Sequence, residues 1–353
     1  MPEISAKNIE VIAPNLKRRL SGVTATVVRL VPLQAQTIGI ATAGPAMPDD
    51  LPRLSLFSLL FMSRKGPKTG RVWHARRITE LLAGWVLKHI LRKDLRHLFT
   101  SASQRHHTGY SKALMRRMDA IVATSSKGAS YLDHPVPVIM HGIDTVQFQP
   151  AADRTALRQK LGLPDAPIVG CFGRIRAQKG TDVFVDAMID VLRKRPDAHG
   201  ILLGRATEKY RGFQNELENK IAAAGLADRL RFLPEVSTTQ IADWYAALDL
   251  FVAPQRWEGF GLTPLEAMSC AVPVVATTVG AFEELIVDGE TGRLIAPGDV
   301  QAMVEAVSAY LDADAKRIAD GKAARAHVLN GFRIEDEAAA LIAMYQKLLA
   351  EKQ

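Results

Sequence analysis

The feature that most limits the fold is a rhythm. Short runs rich in Val, Ile and Leu alternate with stretches of helical apolar spacing. That alternation marks α/β units on a parallel sheet, in which helices cover both faces of the strands. It is clearest in the second half. IVGCFG (168–173) reads as a strand, followed by a helix over 181–195 that stops before Pro196. HGILLG (199–204) precedes a helix over 213–224 that closes at Gly225. RLRFLP, a helix over 238–247, DLFVAP (249–254), a helix from about Thr263 and the strand PVVATT continue the pattern. In the first half NIEVIA, QTIGIA, GRVWHA, RHLFTS, AIVAT and VPVIM are the expected strands.

A chain of 353 residues has room for two such domains, each with its own core. The expected division is a domain over 1–146, a second over 147–333, and a C-terminal segment 334–353. The helix expected over 334–349 places Ala338, Leu341, Ile342, Tyr345 and Leu348 on one face. That face must pack on something, and packing back on the N-terminal domain is one option.

Composition excludes disordered, collagen-like and disulfide-scaffold classes, since Gly and Pro number 25 and 18 and charged residues are 23%. The net charge of +8 is unevenly placed. Residues 1–150 carry 21 Lys and Arg against 9 Asp and Glu, whereas 151–353 carry 24 against 28. A basic first domain suggests an acidic partner. Arg76, Arg77, Lys88, Arg92, Lys93 and Arg96 flank LLAGWVL with its Trp85. That pattern fits a basic amphipathic helix at a membrane interface. It fits equally a solvated helix with ordinary core residues behind it. No helix-turn-helix, zinc or basic-region signature accompanies the charge, so nucleic acid is not the expected partner.

Cys171 and Cys270 sit in apolar contexts, VGCFG and MSCAVP, which fits buried thiols in a reducing cytoplasm. The first residues lack the apolar core of a signal peptide. The longest apolar-leaning run, 54–62, is far shorter than the ~20 residues that span a bilayer.

Two stretches carry chemistry. In APQRWEGFGLTPLEAMSCAVPVVAT (253–277) a strand ends at Pro254 and a Gly-spaced turn opens a helix, with Glu258 and Glu266 bracketing the turn. Loops at the carboxyl ends of parallel strands are where such sheets bind ligands. Gly259 and Gly261 let backbone amides approach an anion, and a helix N-terminus adds positive potential. Pro264 has no N–H, so the amides free for phosphate are those of Gly261, Leu262 and Thr263. Thr263-Pro264-Leu265-Glu266 also reads as a capping box with proline at the first helical position, in which Glu266 only caps its own helix. In GCFGRIRAQKGTD (170–182), Gly173, Arg174 and Lys179 follow the first strand of the second domain. The stretch is neither G-x-G-x-x-G nor a Walker loop. Two cations at the ligand edge of a net-acidic domain suit phosphate. His106 and His107 are adjacent and poorly placed for joint chelation, so no metal site is expected.

GRIRAQKG and EGFGLTPLE, with VPVVATTVGAFEELIVDGETGRLIAPGD (272–299), resemble the retaining GT-B glycosyltransferases of the large family four. Its Glu-x7-Glu motif is matched by Glu258 and Glu266. HGIDTVQFQP (141–150) is similar to the family's inter-domain linker, and PNLKRRLSGVT (14–24) to its glycine loop, with a single Gly22. KRRLSGVT, WHARR, FTSASQRHHTGY and MDAIVATS most resemble lipopolysaccharide core mannosyltransferases.

The resemblance implies two Rossmann-like doubly wound domains facing across a cleft. It also implies mannose transfer from GDP-mannose, without a metal or other cofactor, to an anionic glycolipid acceptor at the cytoplasmic face of the inner membrane. Glu258 would bind the donor hexose and Glu266 the ribose, while Arg174 and Lys179 neutralise the diphosphate. Gly22, Gly173, Gly204, Arg205, Gly259, Phe260, Gly261, Leu262 and Thr263 would complete the donor site. The family's first-domain histidine has no clear counterpart, so His74, His106 and His107, with Arg76, stand as acceptor-side candidates. The alternatives are another hexosyltransferase using UDP-glucose, a sugar-nucleotide epimerase, or a non-catalytic module for anionic lipid or nucleic acid.

Overall fold

The computed structural model describes residues 6–18, 22–45, 47–67 and 70–351. The chain forms two compact units, Met1–Gly142 with Ile334–Gln353, and Ile143–Arg333. The first unit contains β1 (Val11–Pro14), α1 (Gly22–Gln34), β2 (Ile40–Ala43), β3 (Arg53–Leu54), α2 (Leu56–Phe61), β4 (Arg71–Ala75) and α3 (Ile78–His89). β5 (Leu95–Ser101), α4 (Gly109–Met115), β6 (Ala120–Ala123) and α5 (Ser126–Ala129) follow. The second unit begins with α6 (Arg154–Lys160), β7 (Ile168–Phe172), α7 (Thr181–Lys194), β8 (His199–Leu203), α8 (Arg211–Ala223), β9 (Leu230–Leu233) and α9 (Ile241–Ala246). It continues through β10 (Leu250–Ala253), α10 (Thr263–Ser269), β11 (Val274–Thr277), α11 (Phe282–Leu285), β12 (Gly292–Ile295), α12 (Val300–Asp312) and α13 (Asp314–Gly331). The last helix, α14 (Ile334–Ala350), returns to the first unit.

Each unit holds one six-stranded sheet, in the orders β3-β2-β1-β4-β5-β6 and β12-β11-β10-β7-β8-β9. Every named pairing is parallel. In both, the strand order reverses beside the first strand. The switch points therefore lie between β1 and β4 and between β7 and β10, where crossovers leave on opposite faces and open a crevice at the carboxyl edge. Burial follows from this: β10, VVAT of β11 and RVWHA of β4 are covered on both faces.

VPVIM does not form the expected strand; it contributes an isolated bridge, Ala123 to Val138. Pro137 lacks the N–H that a continuing ladder needs, and its carbonyl accepts from Ala123 N at 3.0 Å. β12, which the alternation did not bring out, completes the other sheet against β11.

On α14, Ile334, Ala338, Leu341, Tyr345 and Leu348 enter a core shared with Val27, Leu30 and Val31 of α1. Full burial of each large apolar side chain contributes about 1.5–3 kcal/mol, enough to hold the helix. Glu337 adds direction, accepting from His141 Nδ1 at 2.7 Å and from Gly142 N at 2.8 Å. The cations around α3 turn mostly inward. Arg76, Lys93 and Arg96 are buried, and Lys88 pairs with Asp119 at 3.0 Å. Leu81, Gly84 and Leu87 face the core, so of the two readings of LLAGWVL the structure favours the core helix.

His74 on β4 and His97 on β5 are buried, and both ring pKa values are lowered, chiefly by desolvation. Arg76 adds to the effect at His74 and Lys88 at His97, whose value falls to about 4. Both rings stay neutral in the fold but protonate near pH 6.5 in the unfolded chain. The unfolded state therefore binds more protons between about pH 6.5 and 4, and stability falls as pH falls through that window. His97 alone is expected to remove about 2 kcal/mol by pH 5. Guanidinium unfolding at neutral pH and near pH 5 measures the loss.

Candidate functional site

At the switch point of the second unit, β7 runs into Gly173-Arg174 and a short turn ending at Lys179, while β10 runs into the loop that holds Glu258. Two connections lace these loops together. Arg256 N donates to Gln178 O at 3.0 Å, and the Arg256 guanidinium grips Asp182 at 2.6 and 2.8 Å and Ala177 O at 2.6 Å. Lys179 Nζ thereby reaches Glu258 Oε2 in a short ion pair, with both side chains about one-fifth exposed. The other Glu258 oxygen accepts from Gly259 N at 3.0 Å. A cation and a carboxylate that lie far apart in sequence share one crevice at the carboxyl edge.

Gly261 shapes the turn. Its φ is +91°, and a Cβ there would lie 2.2 Å from the Phe282 ring and 2.9 Å from Glu258 Cγ. Glycine alone lets the chain turn this tightly against both groups. The turn also sets where α10 begins. Leu262, already helical in its dihedrals, is the N-cap, so Thr263 is the first helical residue and Pro264 the second. The expected capping box is therefore not formed. Thr263 Oγ1 is buried without a partner. The amides of Gly261, Leu262 and Thr263 make no hydrogen bond among the described residues.

Glu266 is held from elsewhere in the fold. The buried Tyr245 hydroxyl donates to Glu266 Oε2 at 2.7 Å. Burial, with the neighbouring Glu266 carboxylate, pushes the phenol well above its ordinary pKa, so it remains a donor. Tyr245 and Arg256 were not legible as site residues, because each acts through a tertiary contact. On the ribose role that the resemblance implies for Glu266, Tyr245→Phe is expected to raise the donor KM roughly tenfold with little change in kcat, the value of one charge-assisted bond. Steady-state kinetics over a donor range measures the split.

The other expected donor residues fall on the same edge. Arg174 is exposed and makes no ion pair among the described residues. Gly173 (φ +138°) has open space over its Cα. Arg205, after β8, lies 3.5 Å from Glu235, and Ile175 N donates to Arg205 O at 3.3 Å. Phe260 is buried, and its carbonyl accepts from Ala281 N. Cys171 borders this edge, but burial pushes its thiol up to about 12, so it is no nucleophile.

The acceptor-side candidates divide. His74 is enclosed: Nδ1 meets the Tyr345 hydroxyl at 2.7 Å and Nε2 meets Thr100 Oγ1 at 2.6 Å. Gln34 Nε2 donates to the same hydroxyl at 3.4 Å, so glutamine, tyrosine, histidine and threonine form one buried hydrogen-bonded chain. That ring ties α14 to the sheet. Arg76, His106 and His107 instead line one recess of about 410 Å³ at the carboxyl edge of the first unit's sheet, with Val23, Ser101 and Arg105. Gly22 opens α1 and is exposed; Arg19, Leu20 and Ser21 of its run lie outside the described residues.

Solved structures share this architecture. HepE from Anabaena, in complex with UDP, superposes with a TM-score of 0.84 over 96% of this chain and 100% of that one, at 20% identity. The fold is thus GT-B, the class of two doubly wound domains that the strand orders already describe. The C-terminal domain of a glycosyl transferase group 1 family protein, LpcC from Francisella tularensis, is 36% identical over 55% of this chain and all of that one, with a TM-score of 0.53. The family described as Glycosyl transferases group 1 matches residues 166–313. Along nearly the whole chain the similarity is to the lipopolysaccharide core biosynthesis mannosyltransferase LpsB of Rhizobium meliloti, at 53% identity over 98% of this chain and 99% of the relative. The enzyme of that description from Rhizobium leguminosarum bv. viciae, LpcC, is 47% identical over 99% of both. The chain belongs to the glycosyl transferase group 1 family and is a glycosyltransferase.

Proposed function

We propose that this enzyme transfers a mannosyl residue from GDP-mannose to a lipopolysaccharide core acceptor, with retention of the α-configuration. The observation that carries the chemistry is the Lys179–Glu258 pair at the switch point of the second unit. The 53% and 47% identities to lipopolysaccharide core mannosyltransferases carry the substrate class.

The donor diphosphate engages Lys179, Arg174 and the unpaired amides of Gly261, Leu262 and Thr263. Glu258 then accepts from hexose hydroxyls, and Glu266, held by Tyr245, accepts from the ribose. As the bond between the sugar C1 and the diphosphate oxygen breaks, negative charge grows on the leaving group beside fixed cations and N–H donors. Such groups stabilise it without reorganising. The acceptor hydroxyl attacks C1 from the face the diphosphate leaves, and its proton passes to a departing phosphate oxygen. The carbon–oxygen bond lost at the diphosphate is replaced by one to the acceptor, and no side chain serves as nucleophile. The fixed cations carry the charge stabilisation, so the reading calls for no metal.

A lipid-linked acceptor places the enzyme at a membrane, and no helix among the described residues is long and apolar enough to cross one. What supports a surface association is α2. Leu56, Phe57, Leu60 and Phe61 are 47%, 70%, 50% and 71% exposed, while Leu59 anchors the helix in the core. The loop behind it is pinned: Lys93 Nζ reaches Met62 O at 2.5 Å, and Arg71 Nη1 donates to Ser63 O and Lys65 O at 3.1 and 2.9 Å. Arg64 and Lys65 follow α2 closely in the sequence and add positive charge to this segment. Replacing Phe57 and Phe61 by serine is expected to weaken binding to anionic phospholipid vesicles roughly tenfold or more. Co-sedimentation measures it.

A screen of GDP-mannose, UDP-glucose and related donors against a membrane-derived acceptor tests the function. Turnover with GDP-mannose is expected, and turnover of UDP-glucose alone would overturn the mannose assignment.

A further inference from the structure

The recess at the carboxyl edge of the first sheet carries more positive charge than the fold uses. Arg77, beside it, shows what a used cation looks like. Its Nη1 donates to Asn15 Oδ1 at 2.6 Å and to Glu80 Oε1 at 2.7 Å, and its Nη2 donates to Thr24 Oγ1 at 3.0 Å. Arg76 differs. It is 8% exposed, its Nη1 reaches the His74 carbonyl at 3.4 Å, its guanidinium also lies beside the neutral Tyr345 hydroxyl, and its Nη2 is buried without a partner. No carboxylate pairs with it among the described residues. Glu80, the nearest acid in sequence, spends its oxygens on Arg76 N and on Arg77.

Two further buried atoms on residues lining the recess are orphaned, Ser101 Oγ and His107 Nε2. Arg105 and His106 stand exposed at its rim. Arg105 forms no ion pair among the described residues. A guanidinium stays charged at any working pH, so an enclosed one without a counter-ion is matched to an anion from outside. A planar fork beside a hydroxyl suits the two oxygens of a carboxylate or phosphate.

We propose that this recess binds a small oxyanion, a sugar carboxylate or a phosphate monoester, borne by the acceptor. Arg76 and Ser101 hold it at the base, and Arg105 and the two histidines hold it at the rim. The assignment of the anion to the acceptor rests on the transferase reading above; the anion site itself does not.

The test titrates the full-length protein with inorganic phosphate, with a hexuronic acid methyl glycoside and with the uncharged methyl hexoside, following the ring resonances of His106 and His107 by NMR. Saturable shifts are expected with an anion and not with the neutral sugar, and the tighter of the two anions names the source. Arg105→Gln, on the surface, is expected to weaken anion binding roughly fivefold, and Arg76→Gln more than tenfold. Should Arg76→Gln fail to fold, Arg105→Gln decides by itself. Neither anion saturating, or Arg105→Gln titrating like the parent, overturns the site. GDP-mannose transfer is measured in parallel. Anion binding without transfer overturns the functional reading and spares the site, whereas transfer without anion binding overturns the site.

Discussion

Glu258→Gln is expected to lower kcat roughly 100- to 1,000-fold while shifting the donor KM only a few-fold. The amide keeps the shape of the side chain but loses its charge, and hydrogen bonds from sugar hydroxyls to a carboxylate are about twice as strong as those to a neutral acceptor. On the proposed function the diphosphate contacts through Lys179, Arg174 and the turn amides stay in place. What is lost is the alignment of C1 with the incoming hydroxyl, and misplacement by about 1 Å is worth two orders of magnitude. The carboxylate is oriented from two sides, by Lys179 and by Gly259 N. A variant within twofold of the parent, with an unchanged melting curve, would remove Glu258 from the reaction.

Lys179→Ala acts on the other half of the pair and is expected to fall on both constants. On the proposed function it removes a cation from the leaving diphosphate, an effect of roughly 100-fold or more on kcat, and it leaves Glu258 without its ion-pair partner. Lys179→Arg is expected to recover only part of the loss, because a planar fork does not fit where an ammonium sits between Glu258 and the turn. The Gln178 O to Arg256 bond and the Arg256–Asp182 pair hold the backbone of that turn. The variants should therefore fold, and circular dichroism with a thermal melt checks this alongside the kinetics.

Much of this was legible from residue order, for a physical reason. The candidate loops lie at strand ends, and strands buried on both faces announce themselves as apolar runs such as IVGCF and LFVA. Once the sheet is known to be parallel, its carboxyl edge follows, and with it Arg174, Lys179, Glu258 and Glu266 as candidates. What was hidden depends on contacts between distant segments. Nothing in DWYAA marks Tyr245 as the partner of Glu266, and the capping-box reading of Thr263 stayed open because the positive φ of Gly261 and the N-cap at Leu262 leave no sequence trace. The basic run around Trp85 left two readings open for the same reason. Charge along a chain does not say whether a side chain turns inward, and most of those cations do, whereas α2, with few charges of its own, presents four apolar side chains to solvent. His74 stands at a strand end like a site residue, yet Tyr345, 271 positions later, closes it off.

The central claim is mannosyl transfer from GDP-mannose onto a core acceptor. The purified enzyme, incubated with GDP-mannose and a lipopolysaccharide inner-core precursor, tests it most directly, with the product read by mass spectrometry and its anomeric proton by NMR. One added hexose in α-linkage is the predicted result. A β-linked product, release of free mannose without transfer, or transfer from UDP-glucose alone would contradict the account.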